Sequence, residues 1–297
     1  VAIVGGGMTG LSAADELSEH GMDCTVFEKD EVLGGLAGSF KINDVYIEKF
    51  YHHLFTSDRD AVRIIEKVGL GDKMEWLPTS NCYYVNRIYR LSSPFDLLKF
   101  TAIPFMDRVR LGLLYFKAMS VKDWKPLERI TAREWLIDMA GPGVYEGVWK
   151  PLLRGKFGKY ADQIAAVWIW NKLKLRGSSR GKKQEERLGY LRGGFAQAII
   201  AWEELLRKRG VQINLSSPVE EIRVEDGRAV GVVSNGEFQE FDQVLVTTAP
   251  EILIKITPEL PADYGNRLSK INYLANVCLV MKLDRSLSDA YWLNVGD

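Results

Sequence analysis

Glycines near the start of the chain recur at a spacing that suits the phosphates of a nucleotide. Gly5, Gly7 and Gly10 form a Gly-x-Gly-x-x-Gly pattern directly after the apolar run Val1–Val4. After a strand, the first glycine allows a tight turn, the second lets a pyrophosphate approach the backbone, and the third lets a helix pack on the strand. The N–H groups and dipole at the start of that helix favour phosphate charge. The pattern therefore predicts a dinucleotide site.

A carboxylate follows at the distance expected for a ribose contact. Glu28 comes 18 residues after Gly10 and directly after the predicted strand Thr25–Phe27, close to the ~20 residues typical of such sites. A glutamate accepts hydrogen bonds from ribose hydroxyls, whereas its charge repels a 2′-phosphate. We therefore expect FAD or NAD here rather than NADP.

A second glycine-rich run distinguishes between FAD and NAD. The segment Leu33–Ser39 begins five residues after Glu28 and contains a Gly-Gly pair. The combination resembles a large flavoprotein group that includes flavin amine oxidases, protoporphyrinogen oxidases, phytoene desaturases and UDP-galactopyranose mutases. In that group a Gly-Gly pair follows the ribose glutamate and the nucleotide is FAD. The resemblance thus implies FAD as the cofactor.

The resemblance extends over nearly the whole chain. Lys150–Phe157 is similar to part of the helical region of protoporphyrinogen oxidases, and Tyr190–Phe195 to the stretch that opens the returning helix. Val219–Ile222 is similar to a strand beside the adenine, and Val244–Pro250 to a strand that returns to the cofactor. Carried over position by position, the resemblance implies these cofactor-binding residues: Gly5, Gly7, Met8, Thr9, Gly10, Glu28, Lys29, Gly34, Gly35, Leu36, Ala37, Gly38, Ser39, Val219 and Thr248.

The sequence departs from the group at two places. Many members carry an arginine after the Gly-Gly pair, where this chain has Leu36, so backbone N–H groups and the helix dipole must serve the pyrophosphate instead. Members also end in a glycine-rich segment and helix beside the flavin ring, and nothing similar follows Tyr291–Leu293. We therefore expect that about a third of the native protein is absent and that this form holds flavin weakly.

A histidine pair offers the best candidate for proton transfer. His53 in the segment Tyr51–Thr56 resembles the histidine near the flavin of UDP-galactopyranose mutases, where a neutral imidazole could donate or shuttle protons. The alternative for His53 is a structural role, in which backbone carbonyls accept the hydrogen bonds of the ring. This structural role is the favoured interpretation for His52.

Basic and aromatic side chains in the second third of the chain are candidates for substrate contacts. Residues 150–192 carry 12 basic and three acidic side chains although the whole chain is neutral, which suggests an anionic partner or a solvated basic face. Arg154, Lys156, Tyr190 and Arg192 are the candidates for binding an anionic group. Phe157, Tyr160, Trp168 and Trp170 would line an apolar cavity, or else form ordinary core.

The composition limits the other possibilities. Hydrophobic residues make up 46% and charged residues 26% of 297 residues, which is typical of globular proteins and excludes disordered and collagen-like classes. With three histidines and three dispersed cysteines, we expect no metal site and a reducing, cytoplasmic location. We expect a small-molecule substrate, apolar or partly anionic, and no nucleic acid; the oligomeric state is not predicted. The amphipathic run Phe95–Met119 leaves peripheral membrane contact open, although a core-facing helix pair is favoured.

Strand, turn and helix signals predict an α/β protein. The resemblance implies that its Rossmann-type FAD-binding domain is discontinuous, at 1–45 and 194–250 with its C-terminal part absent. The remaining segments, 46–193 and 251–297, are assigned to a substrate domain with an antiparallel sheet and a helical insert of four to six helices at 95–176. We expect a hairpin over 39–48 that turns at Asn43-Asp44, and a small antiparallel meander over 219–246 with turns at Asp226-Gly227 and Asn235-Gly236. We also expect a loop over 178–192 and a further strand over 271–283.

The resemblance implies an enzyme. The expected function is that of an FAD-dependent oxidoreductase, which transfers hydride from a substrate C–H bond to flavin N5, as in protoporphyrinogen oxidases, amine oxidases and desaturases. The alternative is a non-redox flavoenzyme of the UDP-galactopyranose mutase type, which acts on a nucleotide sugar. A flavin-binding protein with a structural role is the third hypothesis.

Overall fold

The structure is a computed structural model that describes residues 1–178 and 186–295. Its strands are β1 (Ala2–Val4), β2 (Thr25–Phe27), β3 (Ser39–Ile42), β4 (Val45–Glu48), β5 (Met74–Pro78), β6 (Asn81–Val85), β7 (Arg87–Arg90), β8 (Arg187–Leu191), β9 (Gln212–Asn214), β10 (Val219–Glu225), β11 (Arg228–Ser234), β12 (Glu237–Glu240), β13 (Val244–Val246) and β14 (Trp292–Val295). Its α-helices are α1 (Met8–Glu19), α2 (Arg59–Lys67), α3 (Pro94–Leu98), α4 (Phe105–Ser120), α5 (Ala132–Ala140), α6 (Pro142–Val144), α7 (Lys150–Phe157), α8 (Ala166–Ser178), α9 (Ala196–Lys208), α10 (Pro250–Ile256) and α11 (Ala262–Leu268). The fold is therefore mixed α/β.

The chain divides into two compact units, of which unit one comprises Val1–His52, Asp60–Met74 and Leu191–Met281. Its centre is a four-stranded parallel sheet in the order β13-β1-β2-β9. All three residues of β1 and of β2 are buried, as expected for parallel strands that are covered on both faces. The predicted strand, helix and strand at the start of the chain are confirmed.

Two apolar clusters cover this sheet. One contains Ile3 and Val26 from the sheet, Leu11 from α1, and Trp202 and Leu206 from α9. The other joins the sheet to β10, β11 and α10. The apolar face of α1 packs on the sheet. This contact fixes the N-terminal end of α1, directly after Gly7, beside the carboxyl end of β1.

Unit one also contains the two predicted antiparallel elements. β3 pairs with β4, and β10, β11 and β12 form a meander. The turns lie at Asn43, Asp226-Gly227 and Asn235-Gly236, all with positive φ, which matches the residue types that tight hairpin turns require.

Unit two comprises His53–Arg59, Glu75–Tyr190 and Lys282–Asp297, and is mostly helical within the described residues. Helices α4, α5, α6, α7 and α8 enclose a core that contains Leu114, Trp135, Leu136, Tyr145 and Trp170. A small sheet has the order β14-β6-β7, and β5 pairs with β8. Six helices, α3 to α8, occupy the predicted helical insert, one of them a single turn. Among the described residues, no helix has both the length and the apolar character needed to cross a bilayer.

Three expectations differ from the structure. No strand forms over 271–283, where apolar side chains such as Val277 are exposed; a strand also needs a neighbour for its backbone groups. Part of the expected loop 178–192 is strand β8, while residues 179–185 lie outside the described part. The compact units also divide the chain at other places than the predicted domains do, since residues 46–52, 60–74, 191–193 and 251–281 lie in unit one.

Candidate functional site

The start of α1 presents an uncapped helix end. Gly7 is the N-cap, makes no side-chain cap, and is followed by a first turn without acidic residues. The first N–H groups of a helix have no intrahelical acceptor, so they are available to an anion. Gly5 precedes this end with a φ of 105°, a conformation that favours glycine.

Close contacts between backbone segments require glycine at these positions. A Cβ on Gly10 would overlap the carbonyl oxygen of Gly5, so any other residue would push α1 away from β1. Gly7 forms a bridge with Gly34 of the second glycine-rich loop, and a Cβ on Gly35 would lie 3.1 Å from Gly7 Cα. The two predicted glycine loops therefore face each other through backbone alone.

Glu28 directly follows β2, as predicted, and its carboxylate is held in place. Oε2 accepts a hydrogen bond of 2.6 Å from Gly6 N, and Oε1 accepts one of 3.0 Å from Asp30 N. The residue is 6% exposed. Since a carboxylate has about four acceptor positions, the group retains capacity to accept from ribose hydroxyls.

Two hydroxyls beside these loops are buried without a hydrogen-bond partner. They are Ser39 Oγ and Thr248 Oγ1. Ser39 follows the Gly34–Gly38 loop, and a methyl carbon of Thr248 would lie 3.2 Å from a Cβ on Gly5. Buried hydroxyls normally have a partner, so both atoms are candidates for contact with a polar ligand. Both residues were predicted to bind the cofactor.

The other predicted cofactor residues have different surroundings. Leu36 stands at the position that is arginine in many members, and it is 79% exposed. Met8 and Thr9 are exposed in the first turn of α1. Ala37 packs against the core of unit one. Lys29 is exposed beside Asp30, with 4.0 Å between charged atoms, and Val219 begins β10.

An ion-pair network that the sequence did not reveal holds α1 in place. Asp15 is 4% exposed, and its carboxylate accepts from Lys67 Nζ at 2.6 Å and from Arg209 Nη1 at 2.8 Å. Glu19 pairs with the same two cations, and the hydrogen bond from Lys67 is the main cause that lowers the pKa of Glu19. The network connects α1 to α2 and to the end of α9. Its members are 52 and 194 residues apart in sequence, which no local pattern indicates.

In unit two, His53 lies in an aromatic cluster. Its Nδ1 is 3.4 Å from the hydroxyl of Tyr291, and its ring meets Phe55 and Trp292 edge to face. Burial lowers the pKa of His53; the charge of Glu186 opposes this shift, whereas the charges of Arg176 and Lys172 add to it. His53 is thus favoured in its neutral form. His52 Nδ1 contacts the Phe50 carbonyl at 2.7 Å, in agreement with its structural interpretation.

The basic candidates are distributed over several elements. Lys156 of α7 and Lys172 of α8 both lie over the Trp168 ring, at 5.7 and 5.8 Å from its centroid. Burial, followed by the charges of Lys156 and Arg176, lowers the pKa of Lys172, although its side chain is reached by solvent. Unit two therefore holds two cations over one indole, while the nearby Arg176 pairs with Glu186 at 3.7 Å.

The remaining candidates do not share that position. Arg154 lines an open cleft of about 430 Å³ together with Tyr145 and Asp162. Tyr190 lies on β8, and Arg192 belongs to unit one. Trp170 is part of the core, which supports the core interpretation for that residue over the cavity interpretation.

Comparison with known proteins identifies the family and its relatives. The model of the family described as flavin containing amine oxidoreductase matches residues 8–296. A 15-cis-phytoene desaturase from an Oncidium hybrid cultivar is 22% identical over 98% of this chain and 54% of its own length. A coproporphyrinogen III oxidase from Staphylococcus aureus is 24% identical over 89% of this chain and 64% of its own.

A solved structure shares the fold. The crystal structure of an oxidoreductase from Methanosarcina mazei has a TM-score of 0.71 at 16% identity and covers 91% of this chain and 64% of that one. The chain thus spans about half to two thirds of the length of these proteins. Because the family match includes the second glycine loop, Glu28 and nearly all later elements, the chain belongs to the flavin containing amine oxidoreductase family.

Proposed function

We propose that this chain carries the FAD site of an FAD-dependent oxidoreductase. The observation that carries the proposal is the pair of facing glycine loops with two unpartnered hydroxyls, Ser39 Oγ and Thr248 Oγ1, beside them. The parallel sheet with α1 at the end of β1 is the arrangement expected of a Rossmann-type domain.

The residues present fit the group in both charge and shape. The uncapped N–H groups of the first turn of α1 would receive the pyrophosphate, and the absence of a side chain at Gly7 leaves room for it. Glu28, already fixed by two backbone N–H groups, would accept from ribose hydroxyls. Bound flavin would supply the electron acceptor for oxidation of a substrate C–H bond.

For the substrate, unit two provides the relevant chemistry. The cations Lys156 and Lys172 over Trp168 suit an anionic group that is attached to an apolar body. We propose a substrate of that class. A neutral His53 beside Tyr291 is proposed to hold or accept a proton. The mutase alternative is not supported by the relatives above, which are an oxidase and a desaturase.

The test compares two helix N-cap variants. A Cβ at Gly7 meets only Gly35 Cα, at 3.9 Å, so Gly7→Ala can fold but would occupy the space proposed for pyrophosphate. Thr131→Ala removes the capping box of α5 and serves as the matched control, since each change costs on the order of 1 kcal/mol in helix capping.

Binding is measured by titration with FAD and, separately, with NAD, followed by flavin fluorescence or calorimetry. We expect FAD affinity to fall at least tenfold in Gly7→Ala and to remain unchanged in Thr131→Ala. Saturable NAD binding without FAD binding, or equal FAD affinity in wild type and Gly7→Ala, would contradict the proposal.

A further inference from the structure

Helix α4 has a second apolar face that the described protein leaves uncovered. Leu114 and Ala118, on one side, are fully buried in the core of unit two. The opposite side carries large apolar side chains that are 37–68% exposed: Phe105, Met106, Val109, Leu113 and Phe116. Phe95 of the neighbouring helix α3 is also exposed.

These side chains form one stripe. At about 100° per residue, the five positions fall within an arc of roughly 100°, centred on Val109 and opposite Ala118. Single exposed apolar residues are ordinary, whereas a contiguous set of this size on a soluble surface indicates an interaction site.

Cations border the stripe on both edges. The same helical geometry places Arg108 on one edge, and Arg110 and Lys117 on the other. Arg108 donates to the carbonyls of Ile103 and Leu98 at 3.0 and 2.8 Å, and Lys117 Nζ donates to the Met139 carbonyl at 2.7 Å. These contacts orient the two side chains without neutralising their charge.

The surrounding segment is also positively charged. Residues 95–125 contain six basic and three acidic side chains, and each acid has a local role. Asp96 caps α3, Asp107 pairs with Arg110, and Asp123 accepts from the backbone of Lys125. The exposed face therefore combines an apolar centre with an excess of positive charge.

We propose that this face of α4 docks on the surface of a bilayer that contains anionic phospholipids. The apolar stripe would enter the boundary between headgroups and acyl chains, while Arg108 and Lys117 present their charged ends to the phosphates. A second copy of the chain fits this face less well, because a symmetric contact would bring two positively charged rims together.

The experiment is co-sedimentation of the full chain with vesicles. One set is phosphatidylcholine alone, and the other contains phosphatidylcholine with about 30% phosphatidylglycerol. The test variant is Leu113→Ser/Phe116→Ser, which changes two residues that are 49% and 68% exposed and lie outside the buried core. The matched control is Val277→Ser/Leu287→Ser, which changes two apolar side chains that are 93% and 82% exposed elsewhere.

We expect wild type and control to bind the anionic vesicles at least tenfold more tightly than the neutral ones, and the test variant to lose at least tenfold in affinity for anionic vesicles. A charge variant, Arg108→Gln/Lys117→Gln, should lose the preference for anionic vesicles. Binding of the test variant equal to wild type would overturn the proposal. So would sedimentation velocity that shows a wild-type dimer converted to monomer by the test variant, because the face would then be an interface between copies.

Discussion

Glu28 is expected both to stabilise the fold and to bind the nucleotide, and the substitution Glu28→Gln tests both roles. Both of its carboxylate oxygens accept from backbone N–H groups, those of Gly6 and Asp30. In Glu28→Gln only one oxygen remains, so one buried N–H group loses its acceptor. We expect the free energy of unfolding to fall by about 1–3 kcal/mol, measured by urea denaturation without nucleotide, and FAD affinity to fall in the same variant.

The control for this prediction is Glu31→Gln. Glu31 lies three residues further on and is exposed, so it loses the same charge without losing a buried acceptor. Equal stability of Glu28→Gln and Glu31→Gln would show that the two backbone contacts of Glu28 contribute nothing measurable.

His53 should make stability depend on pH. Burial lowers its pKa in the folded protein below the ~6.5 of an unfolded histidine. As the pH falls below about 6.5, the unfolded chain takes up the proton first, so stability is complete above that pH and declines toward the lowered folded pKa. In His53→Asn this component should be absent.

The measurement is the thermal midpoint of wild type and variant between pH 5 and 8. His20→Asn is the control, since the His20 side chain is 69% exposed and makes no comparable burial contribution. If wild type and His53→Asn lose stability in parallel below pH 6.5, His53 is not the group responsible.

Among the elements, α1 depends most on contacts that are distant in sequence. Asp15→Ala would leave Lys67 and Arg209, whose side chains are 23% and 27% exposed, without their most buried partner. We expect a loss of about 2 kcal/mol, less than for a fully buried pair because solvent still reaches both cations. Glu19→Ala should cost less, because Glu19 is the more exposed acid at 41%. Urea denaturation of the two variants checks the order, and the reverse order would contradict this account.

The elements that the sequence predicted well are those with local signals. The strand, glycine turn and helix over 1–19 appear as predicted, because each depends on neighbouring residues. The hairpin turns at Asn43 and Asn235 follow from residues that tolerate positive φ. The parallel pairing of β14 with β6 joins segments about 200 residues apart, and hence no local pattern could indicate it. The His53–Tyr291 contact depends on this same long-range arrangement.

At the scale of the molecule, the nucleotide residues are gathered in one unit from distant parts of the chain. Gly5, Glu28, Gly34, Ser39 and Thr248 all belong to unit one. The sequence could identify them because glycine and carboxylate spacing carries chemical information. It could not rank the basic candidates of unit two in the same way, since helical spacing fits core and binding surfaces equally well.

FAD binding should protect the two glycine loops from hydrogen exchange. The first-turn N–H groups of α1 have no intrahelical acceptor, so their hydrogens should exchange rapidly without nucleotide. At a concentration a hundred times its dissociation constant, a ligand stabilises the folded state by about 2.7 kcal/mol. Under those conditions FAD should slow exchange at 5–11 and 33–39 in unit one by direct contact.

Hydrogen exchange read by mass spectrometry provides the measurement, with α5 and α8 of unit two as internal references. NAD at equal concentration is the ligand control, because it shares the adenosine and pyrophosphate but lacks the flavin. We expect protection by FAD to be larger than protection by NAD and to be centred on the two glycine loops, since those segments contact the pyrophosphate directly. Equal slowing in the loops and in α5 and α8 would instead mean that FAD stabilises the chain as a whole, and the assignment of the site to the facing loops would then fail.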